Sequence, residues 1–444
     1  MFSTPKKDLQ QVQNQYENYP YPYRNPDDDK HRIMRMEGEF LYEIIHYLYN
    51  GKQNFKNGFR VLVAGGGTGD SAVWLGKQLM DYPGSEVVYL DFSGPSMEIA
   101  KKRAAHQGIT NITWVEDSIL NLPELSIGKF DYVNCIGVLH HLEDPESGIQ
   151  ILSDLLNEDG GGMIMVYAQY GRTGVYQVQE LLRSTGKGIE GIEEEVSSAW
   201  DVLNCLPKSN WFVRGEELVS DHQQYGDIGL YDAFLHKRDR AYTIPQLYEF
   251  IENAGLNIVG FVDHFTRAAL SIDSYFKDSA TKERIKKLPL REQQAICEIM
   301  VGNITKHTIH ISRKTDTVAD FSDFNNIPCI YNAPELCRSI INFIESNGNK
   351  VLNKPVAYKY VDIYKRQMDL EFHVLPHSKS LFEQLESGNK TFFEIFEAVR
   401  KETGSSLPDQ ALWNELMVNL NPLYSVGMVF LRHKSIEKFR DFRK

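Results

Sequence analysis

The 444-residue sequence predicts a doubly wound α/β fold: a mostly parallel sheet of seven strands, a helical insert and a small α+β C-terminal domain. An apolar run at 61–64 leads into Gly65, Gly66, Gly67 and Gly69, which is typical of a buried strand that ends in a glycine turn and opens a helix. A second apolar run, at 87–90, ends in Asp91. Together these features predict parallel strands whose carboxyl ends meet at one edge of a sheet.

The glycine turn and Asp91 indicate a nucleoside site at that edge. A ligand lying over the strand end must touch backbone, and a Cβ on the glycines would hold it away. Asp91 follows Gly69 by 22 residues and can accept hydrogen bonds from both hydroxyls of a ribose. A dinucleotide fingerprint has a third glycine where this chain has Asp70, and an acid at a helix N-terminus disfavours a pyrophosphate. The pattern therefore suits a nucleoside without phosphates.

Further strands follow in the same order. Residues 113–118 predict a third strand that ends in polar residues, among them Asp117 and Ser118. Residues 130–142 predict a fourth strand and a short loop, and 163–167 a fifth strand after the glycine turn at 160–162.

These ordered motifs resemble the class I, Rossmann-like S-adenosylmethionine-dependent methyltransferases over about residues 58–170. Gly65, Gly67 and Gly69 match the first motif of that family, Asp91 its ribose-binding acid and Asp117 its adenine-edge residue. The resemblance implies S-adenosyl-L-methionine as cofactor. The predicted cofactor-binding residues are Gly65, Gly66, Gly67, Gly69, Asp91, Phe92, Asp117, Ser118 and Ile136. One departure is Val63, where the family usually has an acid that helps to hold the methionine part of the cofactor. Either another group replaces this acid or binding is weaker.

The chain is long enough for more than one domain. The predicted segments are a Tyr/Pro-rich arm and helix at 1–50, the cofactor-binding core at 51–170, a helical cap insert at 171–240, the completion of the sheet at 241–318 and an accessory domain at 325–444. A sixth strand at 256–262 and a seventh at 307–312 resemble the antiparallel hairpin that closes the sheet in this family.

The C-terminal segment predicts a winged-helix-like module, with a strand at 368–374, three helices and a final strand at 427–431. The helix expected at 409–420 carries acids and few bases, so dimerisation, as a homodimer, or regulation is favoured over DNA binding.

Composition excludes several classes of partner. The formal charge of −12 argues against a broad nucleic-acid surface. The five cysteines are widely spaced and odd in number, which disfavours a disulfide framework. No apolar run approaches the ~20 residues of a membrane span, and the N-terminus lacks a signal-peptide core, so we expect a cytoplasmic protein.

The loop after the fourth strand and the end of the fifth provide candidates for catalysis. His140 is the preferred general base because it comes first after the strand end, although a histidine here can equally pack within the turn. Tyr170 and Arg172 either orient an acceptor carboxylate or phosphate, or anchor the insert. His141 and Tyr167 are predicted to face the acceptor.

The arm adds Tyr19 and Tyr21 as predicted acceptor contacts, either as part of a flap or as an arm packed on the side of the domain. The sequence lacks the Asn/Asp-Pro-Pro-Tyr of base N-methyltransferases after the fourth strand, and it lacks the Pro-Cys of RNA enzymes that use a cysteine nucleophile there. No metal site is predicted, because no Cys-x-x-Cys is present and the paired histidines are badly spaced.

The sequence therefore predicts a methyltransferase acting by in-line displacement on an unidentified small-molecule acceptor. A protein or peptide side chain is the alternative acceptor, and a cofactor-binding regulatory protein without turnover is the non-enzymatic alternative. The sequence does not name the acceptor atom.

Overall fold

The computed structural model describes residues 20–276, 278–330, 333–361 and 367–440. Contacts divide the chain into two compact units. The first unit comprises the chain up to Glu39 together with Phe55–Phe261 and Ala269–Thr315. The second comprises Phe40–Asn54, Val262–Ala268 and the chain from Asp316 onward.

The first unit is built on a sheet that contains β1 (Arg60–Ala64), β2 (Glu86–Asp91), β3 (Ile112–Glu116), β4 (Phe130–Ile136), β5 (Leu156–Ala168), β7 (Asn257–Phe261) and β8 (Lys306–Ser312). Its main path runs β3-β2-β1-β4-β5-β8-β7. Strands β1 to β5 run parallel to one another, whereas β8 is antiparallel to both β5 and β7. The predicted doubly wound sheet with a closing antiparallel hairpin is confirmed.

A short strand that the sequence did not predict, β6 (Ala241–Tyr242), pairs in parallel with the end of β5. Its register places Ala241 opposite Tyr167 and Tyr242 opposite Ala168. The helical insert therefore leaves the sheet at the carboxyl end of β5 and returns to the same place, which fixes both of its ends.

Helices pack on the sheet through buried apolar residues. The helix Gly94–His106 shows the local determinants: the Ser93 side chain accepts from the backbone N–H of Ser96 as an N-cap, and Ala100 and Ala104 are buried. The other longer helices of this unit outside the insert are Asp70–Leu79, Pro145–Leu155, Ile244–Asn253, Ala280–Ile285 and Leu290–Val301.

The insert has a hydrophobic core of its own, formed by residues such as Val178, Ala199, Phe212 and Phe234. Its helices are Thr173–Thr185, Ile192–Asn204, Trp211–Arg214, Asp221–Tyr225 and Asp227–Leu230, followed by a π-helical turn at Tyr231–Leu235. The predicted helical character of this segment is confirmed.

The second unit combines two strand pairs with helices around a separate core. Its strands are β9 (Asn326–Ile330), β10 (Lys354–Val361), β11 (Gln367–Val374) and β12 (Val429–His433), and its helices are Leu41–Leu48, Ala333–Asn347, Ser378–Leu385, Phe392–Thr403 and Asp409–Ser425, with most of His264–Ala269. The winged-helix likeness stays a prediction.

The helix Leu41–Leu48 was predicted as part of the N-terminal segment, but its contacts assign it to the second unit. The backbone N–H of Leu431 donates to Nδ1 of His46 at 3.1 Å, and Thr317 Oγ1 donates to the carbonyl of Tyr47 at 2.7 Å. No helix in the described residues is both long and apolar enough to cross a membrane.

The close approach of β4 and β5 yields a stability prediction. A Cβ at Gly162 would lie 2.3 Å from the carbonyl oxygen of Val133, and backbone in the middle of a sheet cannot move away. We expect Gly162→Ala to destabilise the first unit by about 1–3 kcal/mol through overpacking, measured as a lower Tm. Gly215→Ala is the control, because its Cβ would meet atoms only at 3.6 Å. Equal Tm values for the two variants would contradict the packing described for β4 and β5.

Candidate active site

The first unit contains a cavity of about 890 Å³ at the carboxyl ends of the parallel strands. This volume lies within the range of roughly 300–1,000 Å³ that is typical of small-molecule sites. The floor is formed by strand ends and by the glycine turn, while Tyr21 and Arg24 of the arm and Asp221 and Asp232 of the insert form the opposite walls. The cavity therefore lies where an open α/β sheet is expected to bind its ligand.

The glycine turn borders the cavity through Gly65, Gly66 and Gly67. Gly67 has φ +50°, and a Cβ there would lie 2.8 Å from the carbonyl oxygen of Tyr21, so this glycine admits the arm as well as a ligand. Gly69 is not among the lining residues. A Cβ at Gly69 would lie 2.6 Å from Cβ of Ala100, so this glycine lets two helices approach each other.

Asp91 ends β2 and turns its buried carboxylate toward the cavity. One oxygen accepts from the backbone N–H of Gly67 at 2.7 Å, and the other accepts from the backbone N–H of Ser93 at 2.8 Å. Burial raises the pKa of Asp91, although these backbone hydrogen bonds oppose the shift. A carboxylate has about four acceptor positions, so Asp91 keeps capacity to accept from a ligand.

The remaining predicted cofactor residues also line the cavity. Asp117 follows β3, and its Oδ1 accepts from the backbone N–H of Ser118 and from Nδ2 of Asn121, both at 2.7 Å. Phe92 follows β2 and Ile136 ends β4. These side chains surround the end of the cavity next to Asp91.

A network of buried charges ties the arm to the glycine turn. Arg24 donates to both oxygens of Asp70, at 2.9 and 2.7 Å. Arg103 donates to Asp70 at 2.7 Å, to Asp29 at 2.7 Å and to the carbonyl of Thr68 at 2.9 Å. Burial raises the pKa of Asp70, but the hydrogen bonds and charges of the two arginines outweigh it and hold the pKa below its usual range.

The opposite end of the cavity, beyond the end of β5, is formed by two tyrosine–aspartate contacts. Tyr21 Oη donates to Oδ1 of Asp221 at 3.2 Å, and Tyr167 Oη donates to Oδ2 of Asp232 at 3.5 Å. Burial raises the pKa of both phenols, so both hydroxyls stay protonated and donate. Asp221 and Asp232 were not predicted from the sequence, because acids in short helices of an insert carry no local signal of a site.

The pKa of Asp232 is also shifted at this end. Burial, followed by the charge of Asp221, raises the pKa of Asp232 to about 7. Protonated Asp232 therefore contributes to the free energy of unfolding of the protein. This contribution is fully present below the ordinary aspartate pKa, and it is lost as the pH rises through about 7.

Arg172 lies under this end of the cavity with its guanidinium 3.6 Å from the centre of the Tyr167 ring. It forms an ion pair with Asp239 at 3.2 Å, and both side chains are buried. Asp239 also accepts from Tyr176 at 3.2 Å. Arg172 therefore holds Tyr167 in place while its charge is neutralised. Tyr170 begins the turn that carries Arg172 but is not among the residues that line the cavity.

The two adjacent histidines are placed differently. His141 lines the cavity, and its Nδ1 lies 2.6 Å from the carbonyl of Arg238, so Nδ1 carries the proton and Nε2 is the acceptor. Burial lowers the pKa of His141 to about 4. His140 is buried behind the Tyr167 ring, 3.9 Å between ring centres, and is not among the lining residues. Burial lowers its pKa well below the usual value, and neither ring nitrogen has a hydrogen-bond partner in the described part of the chain.

Of the residues predicted to contact the acceptor, Tyr21, His141 and Tyr167 are brought together at this end of the cavity. Tyr19 lies outside the described residues.

Comparison with known proteins agrees with this geometry. Residues 62–162 match the family model described as a methyltransferase domain. The chain carries a class I S-adenosylmethionine-dependent methyltransferase domain. Its cofactor is S-adenosyl-L-methionine.

Similarity to individual proteins extends beyond this domain. The structure of PKMT2 from Rickettsia typhi has a TM-score of 0.65 at 17% identity, covering 90% of this chain and 77% of that one. Its complex with AdoHcy has a TM-score of 0.60. An uncharacterized Synechococcus protein is 28% identical over 343 residues, which is 74% of this chain and 80% of the relative. The ubiquinone biosynthesis O-methyltransferase of Actinobacillus pleuropneumoniae is 27% identical over 180 residues, which is 38% of this chain and 72% of the relative.

The methyltransferase cavity fits the cofactor in two observed respects. Bare backbone at Gly65 and Gly67 borders it, and Asp91 keeps free acceptor positions at the expected ribose.

The role of Asp91 is tested by cofactor binding. We expect Asp91→Ala to weaken S-adenosylhomocysteine binding by about 2–4 kcal/mol, because a charge-assisted contact to two hydroxyls is lost. Titration calorimetry measures this, with Glu124→Ala as the control at an exposed acid. An unchanged dissociation constant for Asp91→Ala would rule out the ribose assignment.

Proposed function

We propose that this methyltransferase acts on a basic nitrogen, an amine carried by a small molecule or by a protein side chain. The observation that carries the proposal is the pairing of Tyr21 with Asp221 and of Tyr167 with Asp232 at the end of the cavity away from Asp91. Two carboxylates and two aromatic rings around one space form an environment that favours a cation.

In this proposal the glycine turn and the residues near Asp91 hold the adenosine part of the cofactor. Asp91 accepts from the ribose hydroxyls, Asp117 and Ser118 face the adenine edge, and Phe92 and Ile136 pack against it. When bound, S-adenosylmethionine supplies a methyl group on a sulfonium, and its transfer is an in-line displacement in which positioning lowers the barrier.

The charges at the acceptor end favour an amine over an anionic acceptor. Arg172 is neutralised by Asp239 at 3.2 Å, and Arg238 forms an ion pair with Glu143 at 3.4 Å. At the cavity, Asp221 and Asp232 accept hydrogen bonds from neutral phenols, which do not balance a carboxylate charge. An ammonium group would replace the mutual repulsion of the two carboxylates with attraction.

Proton transfer follows from the same residues. An ammonium must lose a proton before its nitrogen can attack the methyl carbon, and a carboxylate with a pKa of about 7 is suited to accept that proton near neutrality. Asp232 is therefore the proposed base. His140 and Arg172 are proposed as positioning residues that fix the Tyr167 ring, and His141 as a neutral wall of the acceptor site.

A hydroxyl acceptor is the second candidate. The relative from Actinobacillus is named an O-methyltransferase and matches this chain over 180 residues. A phenol would need a base, and Nε2 of His141 faces the cavity as an acceptor.

Labelled methyl donor separates the candidates. A lysine-rich peptide, a small diamine and a catechol are each incubated with the full chain, and the incorporated label is measured. Label in the peptide or the diamine supports the amine proposal and shows whether a protein side chain or a small molecule carries the amine. Label confined to the catechol overturns it in favour of O-methylation.

Asp232→Asn tests the proposed base. The substitution keeps an acceptor for Tyr167 but removes the charge, and we expect kcat/KM for the amine to fall about 100-fold, or ~2.7 kcal/mol. In the unsubstituted protein kcat/KM should rise with pH through about 7, as Asp232 ionises, and this rise should disappear in the variant.

Asp201→Asn, at an exposed acid of the same insert, is the control and should keep both the rate and the pH profile. A variant of Asp232 with an unchanged rate and profile would exclude this residue as the base.

A further inference from the structure

Glu39 is a fully buried acid that the proposed chemistry leaves without a role. Its Oε1 accepts from Oγ of Ser71 at 2.6 Å and from Nδ2 of Asn134 at 2.9 Å. Its Oε2 is buried and has no hydrogen-bond partner among the described residues. Burying a carboxyl oxygen without a hydrogen-bond partner destabilises the folded protein, so such a group needs a physical explanation.

Both partners of Glu39 line the cofactor cavity. Ser71 lies in the first turn of the helix Asp70–Leu79, directly after the glycine turn. Asn134 lies in β4 opposite Val63 of β1, and side chains that face each other on adjacent strands point to the same side of the sheet. The carboxyl of Glu39 therefore lies one side chain behind the wall at the centre of the cavity, between the Asp91 end and the Tyr167 end.

Other acids near this wall are already neutralised or occupied. Asp70 is held by Arg24 and Arg103, and Asp91 accepts from two backbone N–H groups. Glu39 forms no ion pair with a cation in the part of the chain that the structure describes. Unlike Asp70, Glu39 therefore has no cation beside it in the described residues to balance its charge.

We propose that Glu39 is a positioning residue that supplies the counter-charge for the α-ammonium group of the cofactor, acting through Asn134 and Ser71. Because Nδ2 of Asn134 donates to Glu39, Oδ1 of Asn134 is left to accept from an ammonium in the cavity. Val63 at the end of β1 offers no charge there. This proposal concerns cofactor binding and does not depend on the identity of the acceptor.

The proton on Glu39 provides a second consequence. Burial raises the pKa of Glu39 to about 8, with hydrogen bonds from Ser71 and Asn134 opposing the shift and the charge of Asp70 adding to it. Arg24 and Arg103 neutralise Asp70 and face the same region. A cationic ligand favours the ionised form of Glu39. Cofactor binding below pH 8 should therefore release a proton from Glu39, and the affinity for the cofactor should rise as the pH increases toward 8.

The experiment compares two ligands that differ in the amino-acid part. S-adenosylhomocysteine carries the α-ammonium, whereas methylthioadenosine lacks it and keeps the adenosine. Glu39→Gln preserves the shape and an acceptor for Ser71 and Asn134 while removing the charge. We expect the dissociation constant for S-adenosylhomocysteine to rise about tenfold at pH 8 and that for methylthioadenosine to stay unchanged.

The pH dependence is the second measurement and needs only the unsubstituted protein. Its affinity for S-adenosylhomocysteine should increase between pH 6 and pH 8, whereas its affinity for methylthioadenosine should not change. Calorimetry in buffers of different ionisation enthalpy detects the proton that S-adenosylhomocysteine binding releases. Equal weakening of both ligands by Glu39→Gln, or a flat pH profile for S-adenosylhomocysteine, overturns the proposal. Failure of the unsubstituted protein to bind either ligand would instead contradict the cofactor assignment.

Discussion

The ion-pair network of Arg24, Asp70, Arg103 and Asp29 is the interaction on which the cavity depends. Arg103 and Asp29 are almost completely buried, so the charges are stable only because they neutralise each other. Removing one member of such a network leaves an uncompensated buried charge and typically costs about 3–5 kcal/mol. The network joins the arm to the helix that follows the glycine turn, and it thereby fixes the wall that carries Tyr21.

This arrangement connects the two ends of the site. At the cofactor end, the backbone N–H of Gly67 donates to Asp91. Gly67 also lies against the carbonyl of Tyr21. The arm that covers the glycine turn also brings the hydroxyl of Tyr21 to Asp221 in the insert. The position of the arm therefore helps to define both the cofactor end and the acceptor end of the cavity.

The sequence predicted what depends on local pattern. The succession of strands along the chain and the positions of Gly67 and Asp91 follow from apolar runs and turns, and parallel strands end at one edge of a sheet. Features that depend on distant partners were not predictable. Asp70 looked unfavourable for a phosphate, but it pairs with arginines at positions 24 and 103. The choice between His140 and His141 depends on the rotation of a single turn, and Asp232 reaches the site only through the packing of the insert.

A crystal structure of the full chain with S-adenosylhomocysteine would show whether one cavity holds the adenosine near Asp91 and directs the reacting sulfur toward Tyr167 and Asp232. We expect ribose hydroxyls within hydrogen-bond distance of the Asp91 carboxylate and the sulfur on the Tyr167 side. A ligand bound in the reverse direction, or outside this cavity, would contradict it.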